Sequence, residues 1–409
     1  MSTRTPSDSG QDQPTSGAAG RAGLATAAVF VVALCLRPPI TAVGPLLPQI
    51  GEHYALSESA QGVLGAIPLL AFGAVSPFVH RLARRRALET TILAALILLA
   101  AAIAVRSWTG VWGLWIGTFF IGAGIAIGNV LVPVVVRRDF PKNIAQATGG
   151  YSACITMAAA VASAIAVPIA AASDWQASLG IWGAFVLLIA ALWAPRLRRR
   201  NTAVTEQQQQ ETGSIWREPT AWWVTAFMGL QSTLFYTLIT WLPTIEISHG
   251  TSAQTAGIRL FVLHGLGLIS GLTIPIVLRK TADERLGMVV ASVPMALAVT
   301  GLLLWPAMML VWVVLAGIGQ GASLVAALTL VSLRGRTQQE AAKLSGMAQS
   351  VGYLLAMLGP IGAGYLADIT GSWQPSLALC LVLACIQIPV ALRAGVDRRS
   401  APLPDSNRR

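Results

Sequence analysis

The chain has 409 residues, of which 55% are hydrophobic and only 11% charged. A soluble domain carries about 25% charged residues, so a chain this poor in charge cannot cover a water-facing surface of its own size. The mean hydropathy of +0.65 agrees. The net charge of +11 would suggest nucleic acid in a soluble protein, and has to be judged by where its residues fall.

Residues 1–21 are rich in Ser, Thr, Gly, Pro and Gln and are expected to form a disordered tail. A membrane-spanning helix needs about 20 mostly apolar residues. Such runs recur at 22–46, 60–80, 87–105, 109–136, 146–171 and 177–195, then at 219–246, 254–278, 286–305, 308–333, 343–367 and 373–394. They are continuous and rich in Ala, Leu and Gly, whereas barrel strands would be about ten residues of alternating polarity. The expectation is an all-α integral membrane protein of twelve spans. The first run has no convincing cleavage site after it and reads as an uncleaved span rather than a signal peptide. The stretch 197–217, with Leu197-Arg198-Arg199-Arg200 and Gln207 through Gln210, cannot bury a core. It divides the chain into bundles of six spans at 22–196 and 218–395, with a second tail at 396–409.

The halves resemble each other. Leu47-Pro48-Gln49-Ile50 followed by Gly62 returns as Leu242-Pro243-Thr244-Ile245 followed by Gly257, at an offset of 195. Gly122, Gly124, Arg137 and Gly149 return as Gly319, Gly321, Arg334 and Gly346, at an offset of 197. Two sets of matches with nearly equal offsets point to an internal duplication. Basic residues fall on the two tails, the even-numbered loops and the central linker, except for Arg37, Arg106 and Arg259. The positive-inside rule then places both termini and the linker in the cytoplasm of a bacterial inner-membrane protein, and accounts for the charge without nucleic acid.

Arg37 is the strongest functional signal. It lies midway along the first apolar run, where an arginine costs at least about 2.5–3.5 kcal/mol on insertion scales. It therefore has to face the bundle interior, a water cavity or a partner. Pro38 and Pro39 follow it, remove backbone donors and favour a bent or broken helix with free carbonyls nearby. Its functional reading is a permanently charged planar fork that holds an anionic or electron-rich group. The alternative is an arginine tied to those carbonyls or to a buried acid, joining helices. The repeat puts Ser232 at the matching position, so the site is expected to be asymmetric.

Other polar residues inside spans are candidates for the cavity wall: Asn129, Tyr151, Gln231, Tyr236, His264, Gln320, Gln349 and Tyr353. Gln349 and Tyr353 are four apart and share a helix face. For each one alone, hydrogen bonding between helices is the commoner role. Deep carboxylates are scarce, so any proton coupling would rest on Glu246, His264 or the solute. Cys35, Cys154, Cys380 and Cys385 sit in apolar runs without metal spacing and read as core residues. Pro168, Pro243, Pro275 and Pro360 are expected kinks. No phosphate-binding loop, metal cluster or nucleophile–base arrangement is visible, so neither a cofactor nor an enzyme activity is expected.

Several stretches resemble the major facilitator superfamily, and more narrowly its cyanate/2-nitroimidazole transporter (CynX/NimT) family. They are Leu36-Arg37-Pro38-Pro39-Ile40 through Pro45, Gly128-Asn129-Val130-Leu131-Val132-Pro133 with Arg137-Arg138-Asp139-Phe140-Pro141, and Gly229-Leu230-Gln231-Ser232 with Phe235-Tyr236 and Trp241-Leu242-Pro243. Gln349-Ser350-Val351-Gly352-Tyr353 with Gly359-Pro360, and Asp368 through Trp373, complete the set. The resemblance implies two six-helix bundles that give alternating access to a central site. It implies small solutes such as cyanate-like anions or nitroheterocycles. It also places Arg37, Asn129, Gln231, Tyr236, Gln349 and Tyr353 near the cavity. In the loop after the second span, His80 stands where the superfamily usually has Asp and Ala83 where it has Gly, and the motifs of multidrug antiporters are missing. The reading is a monomeric secondary carrier of a small anionic or nitro-bearing solute in the lipid bilayer. An efflux carrier of neutral drug-like compounds and a solute receptor that moves nothing are the alternatives.

Overall fold

The structure is a computed structural model that describes residues 27–85, 87–141, 143–198, 214–280, 284–335 and 337–395. The expected tails at 1–21 and 396–409 and most of the linker lie outside these residues. The described chain is helical, without strands. Its helices are α1 (27–33), α2 (Pro38–Thr41), α3 (Leu47–Tyr54), α4 (Glu58–Arg85), α5 (Leu88–Trp108), α6 (Gly110–Asp139), α7 (Ile144–Ala172) and α8 (Trp175–Trp193). The second half has α9 (Pro219–Ser248), α10 (Ala253–Lys280), α11 (Glu284–Leu304), α12 (Met309–Arg334), α13 (Gln338–Ala356), α14 (Leu358–Thr370) and α15 (Gln374–Ala394).

Eleven described stretches are long and apolar enough to cross a membrane, the first being Ala27–Tyr54 and another Glu340–Thr370, which joins α13 and α14. The twelfth crossing is α9. It fails on hydropathy and not on length, since its 30 residues include Gln231, Thr233, Thr237, Thr240 and Glu246. At 1.5 Å per residue it is about 45 Å long. A helix this polar is tolerated because its polar residues, Gln231, Thr233, Thr237, Thr240 and Glu246 among them, are buried between other helices.

The first crossing is broken, as its prolines require. Pro38 and Pro39 have no N–H to offer the carbonyls of Leu34 and Cys35. The chain tightens instead, with Leu34, Cys35 and Leu36 donating to Val31, Val32 and Ala33 at 3.1, 3.0 and 3.2 Å. It resumes as α2, with Arg37 at its N-cap position. Other ends follow local chemistry. Asp174 caps α8 by accepting from the Ala177 amide at 2.6 Å, and Thr337 caps α13 by accepting from the Glu340 amide at 3.1 Å. Pro168, Pro243 and Pro275 stay inside continuous helices, and Pro360 follows the α13/α14 break at Met357.

The end of the bundle where the two halves connect is here called the linker end, and the opposite end the distal end. At the linker end Arg138 pairs with Glu89 at 2.5 Å and with Asp139 at 2.9 Å, and Arg196 pairs with Asp139. This network ties α5, α6 and the turn after α8. Arg196 lies over the Trp193 ring, 4.5 Å from its centroid.

At the distal end the halves close on each other through glycines, and the contacts obey the repeat. A Cβ on Gly62 of α4 would lie 2.5 Å from the Pro360 carbonyl oxygen of α14. A Cβ on Gly257 of α10 would lie 2.7 Å from the Ser163 carbonyl oxygen of α7. Gly62 and Gly257 are repeat mates at an offset of 195, and Ser163 and Pro360 differ by 197. Gly44, in the turn between α2 and α3, faces the Ile239 carbonyl of α9 at 2.2 Å from its own hypothetical Cβ. Those two positions also differ by 195, so the first crossings of each half meet at the pseudo-twofold axis. Trp241 donates to the Pro360 carbonyl at 2.9 Å, and Ser59 donates to Asp368 at 2.6 Å. By contrast, a Cβ on Gly149 or Gly346, repeat mates near the linker end, would meet nothing within 4 Å.

Candidate functional site

Arg37 sits where the break in the first crossing delivers it, partly buried in the middle of the bundle. Its Nη1 donates to the Tyr236 hydroxyl at 2.7 Å, a bond between residues 199 apart that joins the two halves. The guanidinium carbon lies 5.8 Å from the Tyr236 ring centroid and 5.9 Å from that of Phe235, within cation–π range. Tyr353 stands edge-on to Tyr236 at 6.3 Å and to Phe72 of α4 at 5.4 Å. His264 stands edge-on to Phe235 at 5.9 Å. Tyr151, Tyr353 and His264 all lie within electrostatic reach of the guanidinium. Among the described residues no carboxylate pairs with Arg37 and no carbonyl takes its side chain. The fork therefore keeps most of its five N–H donors free in a cage of aromatic rings.

The arrangement answers the question left by the sequence. Arg37 is not tied to the carbonyls that its prolines release. A different arginine takes one of them: Arg106 of α5 donates to the Pro39 carbonyl at 2.5 Å. Sequence reading placed Arg106 just past the end of a span, at 105, but α5 continues to Trp108 and Arg106 is only 1% exposed. Its one sequence signal was its place among the three basic residues off the cytoplasmic set.

The remaining candidates divide. Arg37, Tyr236, Tyr353, Tyr151 and His264 come together. His264 is buried, and among the described residues its Nε2 has no partner. Asn129 and Gln349 are partly exposed. Gln349 donates to Ser345 at 2.9 Å, and among the described residues Asn129 makes no side-chain hydrogen bond. Gln231 turns into its own helix, donating to the Met228 carbonyl at 3.2 Å and to Ser232 at 2.7 Å, so it shares no face with Tyr236. Ser232, the repeat mate of Arg37, is thereby held by its neighbour one turn before Tyr236. Glu246 lies ten residues beyond Tyr236, roughly 15 Å along the helix toward the distal end. It is wholly buried and pairs with Arg259 of α10 at 3.0 Å. Gln320 is buried, with its Oε1 unpaired among the described residues.

The pattern of the Major Facilitator Superfamily matches residues 29–304. The chain belongs to the major facilitator superfamily. It is 40% identical over 378 residues to the 2-nitroimidazole transporter of Escherichia coli K12, an overlap of 91% of this chain and 95% of that one. It is 27% identical over 360 residues to the cyanate transport protein CynX of the same organism, covering 87% and 93%. These relatives place it in the CynX/NimT family within the superfamily. Among solved structures, the nucleoside transporter NupG superposes with a TM-score of 0.76 over 90% of this chain and 99% of that one, at 11% identity. A bacterial homologue of the lysosomal transporter Spinster, in an inward-facing and occupied conformation, gives 0.74 over 91% and 96%, at 17% identity. Likeness at such identities reports the fold alone. The chain is a multi-pass integral membrane protein of this superfamily, a transporter of small solutes and not an enzyme.

Proposed function

We propose that this transporter carries a small anionic or nitro-bearing solute by alternating access, with Arg37 as the polar anchor of its central site. The observation that carries this reading is the caged guanidinium, held by Tyr236 and paired with no carboxylate among the described residues. A planar cation with free donors suits the paired oxygens of a nitro group or carboxylate, or the charge of a small anion such as cyanate. The faces and edges of Tyr236, Phe235, Tyr353 and Phe72 suit a flat heterocycle. Transport of 2-nitroimidazole and of cyanate by relatives supports both solute classes. Tyr151 and His264 complete the polar wall, and Asn129 and Gln349 line the approach.

The linker end is the cytoplasmic side of the inner membrane, because the basic loops gather there. The closed distal glycine contacts then make this conformation sealed toward the periplasm, and transport proceeds by parting them while the linker end closes.

Purified protein in proteoliposomes tests the reading. Labelled 2-nitroimidazole or cyanate should enter against a gradient of the same unlabelled solute, and Arg37→Ala should abolish this while the protein still folds. Absence of counterflow with both solutes, or normal affinity after Arg37→Ala, would overturn it.

A further inference from the structure

Arg106 poses a problem that the central site does not solve. The residue is 1% exposed, its Nη1 is used by the Pro39 carbonyl, and among the described residues its buried Nε and Nη2 have no partners. A guanidinium does not give up its proton in a protein. Burying an uncompensated cation is costly, and a single carbonyl does not offset that cost. Among the described residues no carboxylate pairs with it. Arg106 lines a cavity on the distal side of Arg37, walled by α2, α4, α6 and α9 and bounded by Pro39, Gly65, Pro68, Thr118 and Thr240. Among the described residues no acidic side chain lines it. The Thr118 hydroxyl is taken up by the Leu114 carbonyl at 2.6 Å. The Thr240 hydroxyl makes no hydrogen bond among the described residues and faces Gly65, where a Cβ would come within 2.9 Å of its oxygen. The cavity thus brings a permanent cation with two unpartnered nitrogens up against a free hydroxyl. Its open room is that of about one or two water molecules, too small for an aromatic ring.

We propose that Arg106 and Thr240 form a second anion site, distinct from the Arg37 cage, that holds a small inorganic monovalent anion of chloride size. The anion neutralises Arg106 while the distal gate is closed. Thr240 belongs to the second half and Arg106 to the first, and Gly44 beside them meets Ile239 across the pseudo-twofold axis. An anion between them bridges the halves on the distal side and stabilises the distal-closed conformation. The inference does not depend on Arg37 binding the solute.

The test is thermal unfolding of the purified full-length protein as chloride replaces gluconate at constant ionic strength. Chloride should raise the melting temperature saturably, because a ligand that binds only the folded state stabilises it by mass action. The shift should persist in Arg37→Gln and vanish in Arg106→Gln. In Thr240→Val, which keeps the cation, the half-saturating concentration should rise by roughly tenfold or more, the scale of one hydrogen bond to a charged partner. No saturable chloride effect in the wild type would overturn the proposal, as would a shift lost in Arg37→Gln and kept in Arg106→Gln. Should Arg106→Gln fail to fold, crystals of the wild type grown with bromide decide. An anomalous peak in contact with the Arg106 guanidinium supports the site, and a water molecule there, or a peak elsewhere only, refutes it.

Discussion

The glycine pair at the distal gate permits a prediction of defined size. Gly62→Ala would set a methyl 2.5 Å from the Pro360 carbonyl oxygen, and Gly257→Ala would set one 2.7 Å from that of Ser163. Ordinary contact begins near 3.4 Å, so each pair of helices would have to separate by roughly 0.7–0.9 Å at a point where the obstacle is backbone and cannot rotate away. Overpacking of this kind costs about 1–3 kcal/mol. Alanine also favours the helix over glycine by about 1 kcal/mol, but α4 and α10 are helical whether the gate is open or closed, so that gain cancels. The closed-to-open ratio should therefore fall by roughly 5- to 150-fold for either substitution. The assay is a distance measurement by electron spin resonance between labels at Ser57 and Thr370, both exposed at the distal end, in a background with the four cysteines replaced. Each variant should gain a long-distance population that the wild type lacks. Unchanged distance distributions in both would refute the reasoning. A shift in one and none in the other would refute the claim that the two contacts are equivalent halves of one gate.

Other outcomes follow from single contacts. Tyr236→Phe keeps the ring 5.8 Å from the Arg37 guanidinium but removes the oxygen that accepts its 2.7 Å bond. Water in the cavity can replace part of that bond, so the loss should be near the lower bound for a charged hydrogen bond, about 1.5 kcal/mol, or roughly tenfold in the KM for counterflow; a change below twofold would show that Tyr236 does not position the fork. Arg37→Lys keeps the charge and loses the fork, and counterflow should suffer at least as much as in Tyr236→Phe, with normal KM as the contrary result. At the distal ion pair the two single substitutions should differ. Arg259→Gln strands a carboxylate that is 0% exposed, at a cost of about 3 kcal/mol, whereas Glu246→Gln strands a side chain still 23% exposed that can turn to water, at about 1 kcal/mol. Thermal unfolding of both variants checks the order, and the reverse order would contradict it.

Much of the fold was legible because a bilayer leaves few options. Spans have to be long, apolar and internally hydrogen-bonded, so composition and run length gave the helices, and the repeat offsets gave the two halves. Arg37 was legible for the same reason, since an arginine between apolar residues and two prolines has no bland place in a membrane. The exception among the spans is instructive. Helix α9 reads as the least apolar of the set, and it is also the one most enclosed by other helices. Its polarity marked an interior position, which hydropathy alone records only as a weaker span.

Partners were not legible, because they depend on side-chain direction and on distances across some 200 residues. Nothing in the sequence distinguished Tyr236, which turns to Arg37, from Gln231, which turns back on its own helix. Nor did it show that the Pro39 carbonyl would go to Arg106, a residue that span counting had left outside the membrane. By itself the sequence determined the number of crossings, the duplication and the one buried charge that demanded an explanation. Only the tertiary structure decided which rings surround that charge, that a second arginine is buried with no carboxylate partner among the described residues, and that repeat-matched glycines close the distal end. Periodicity and transfer energy are properties of a segment, whereas pairing is a property of where two distant segments meet.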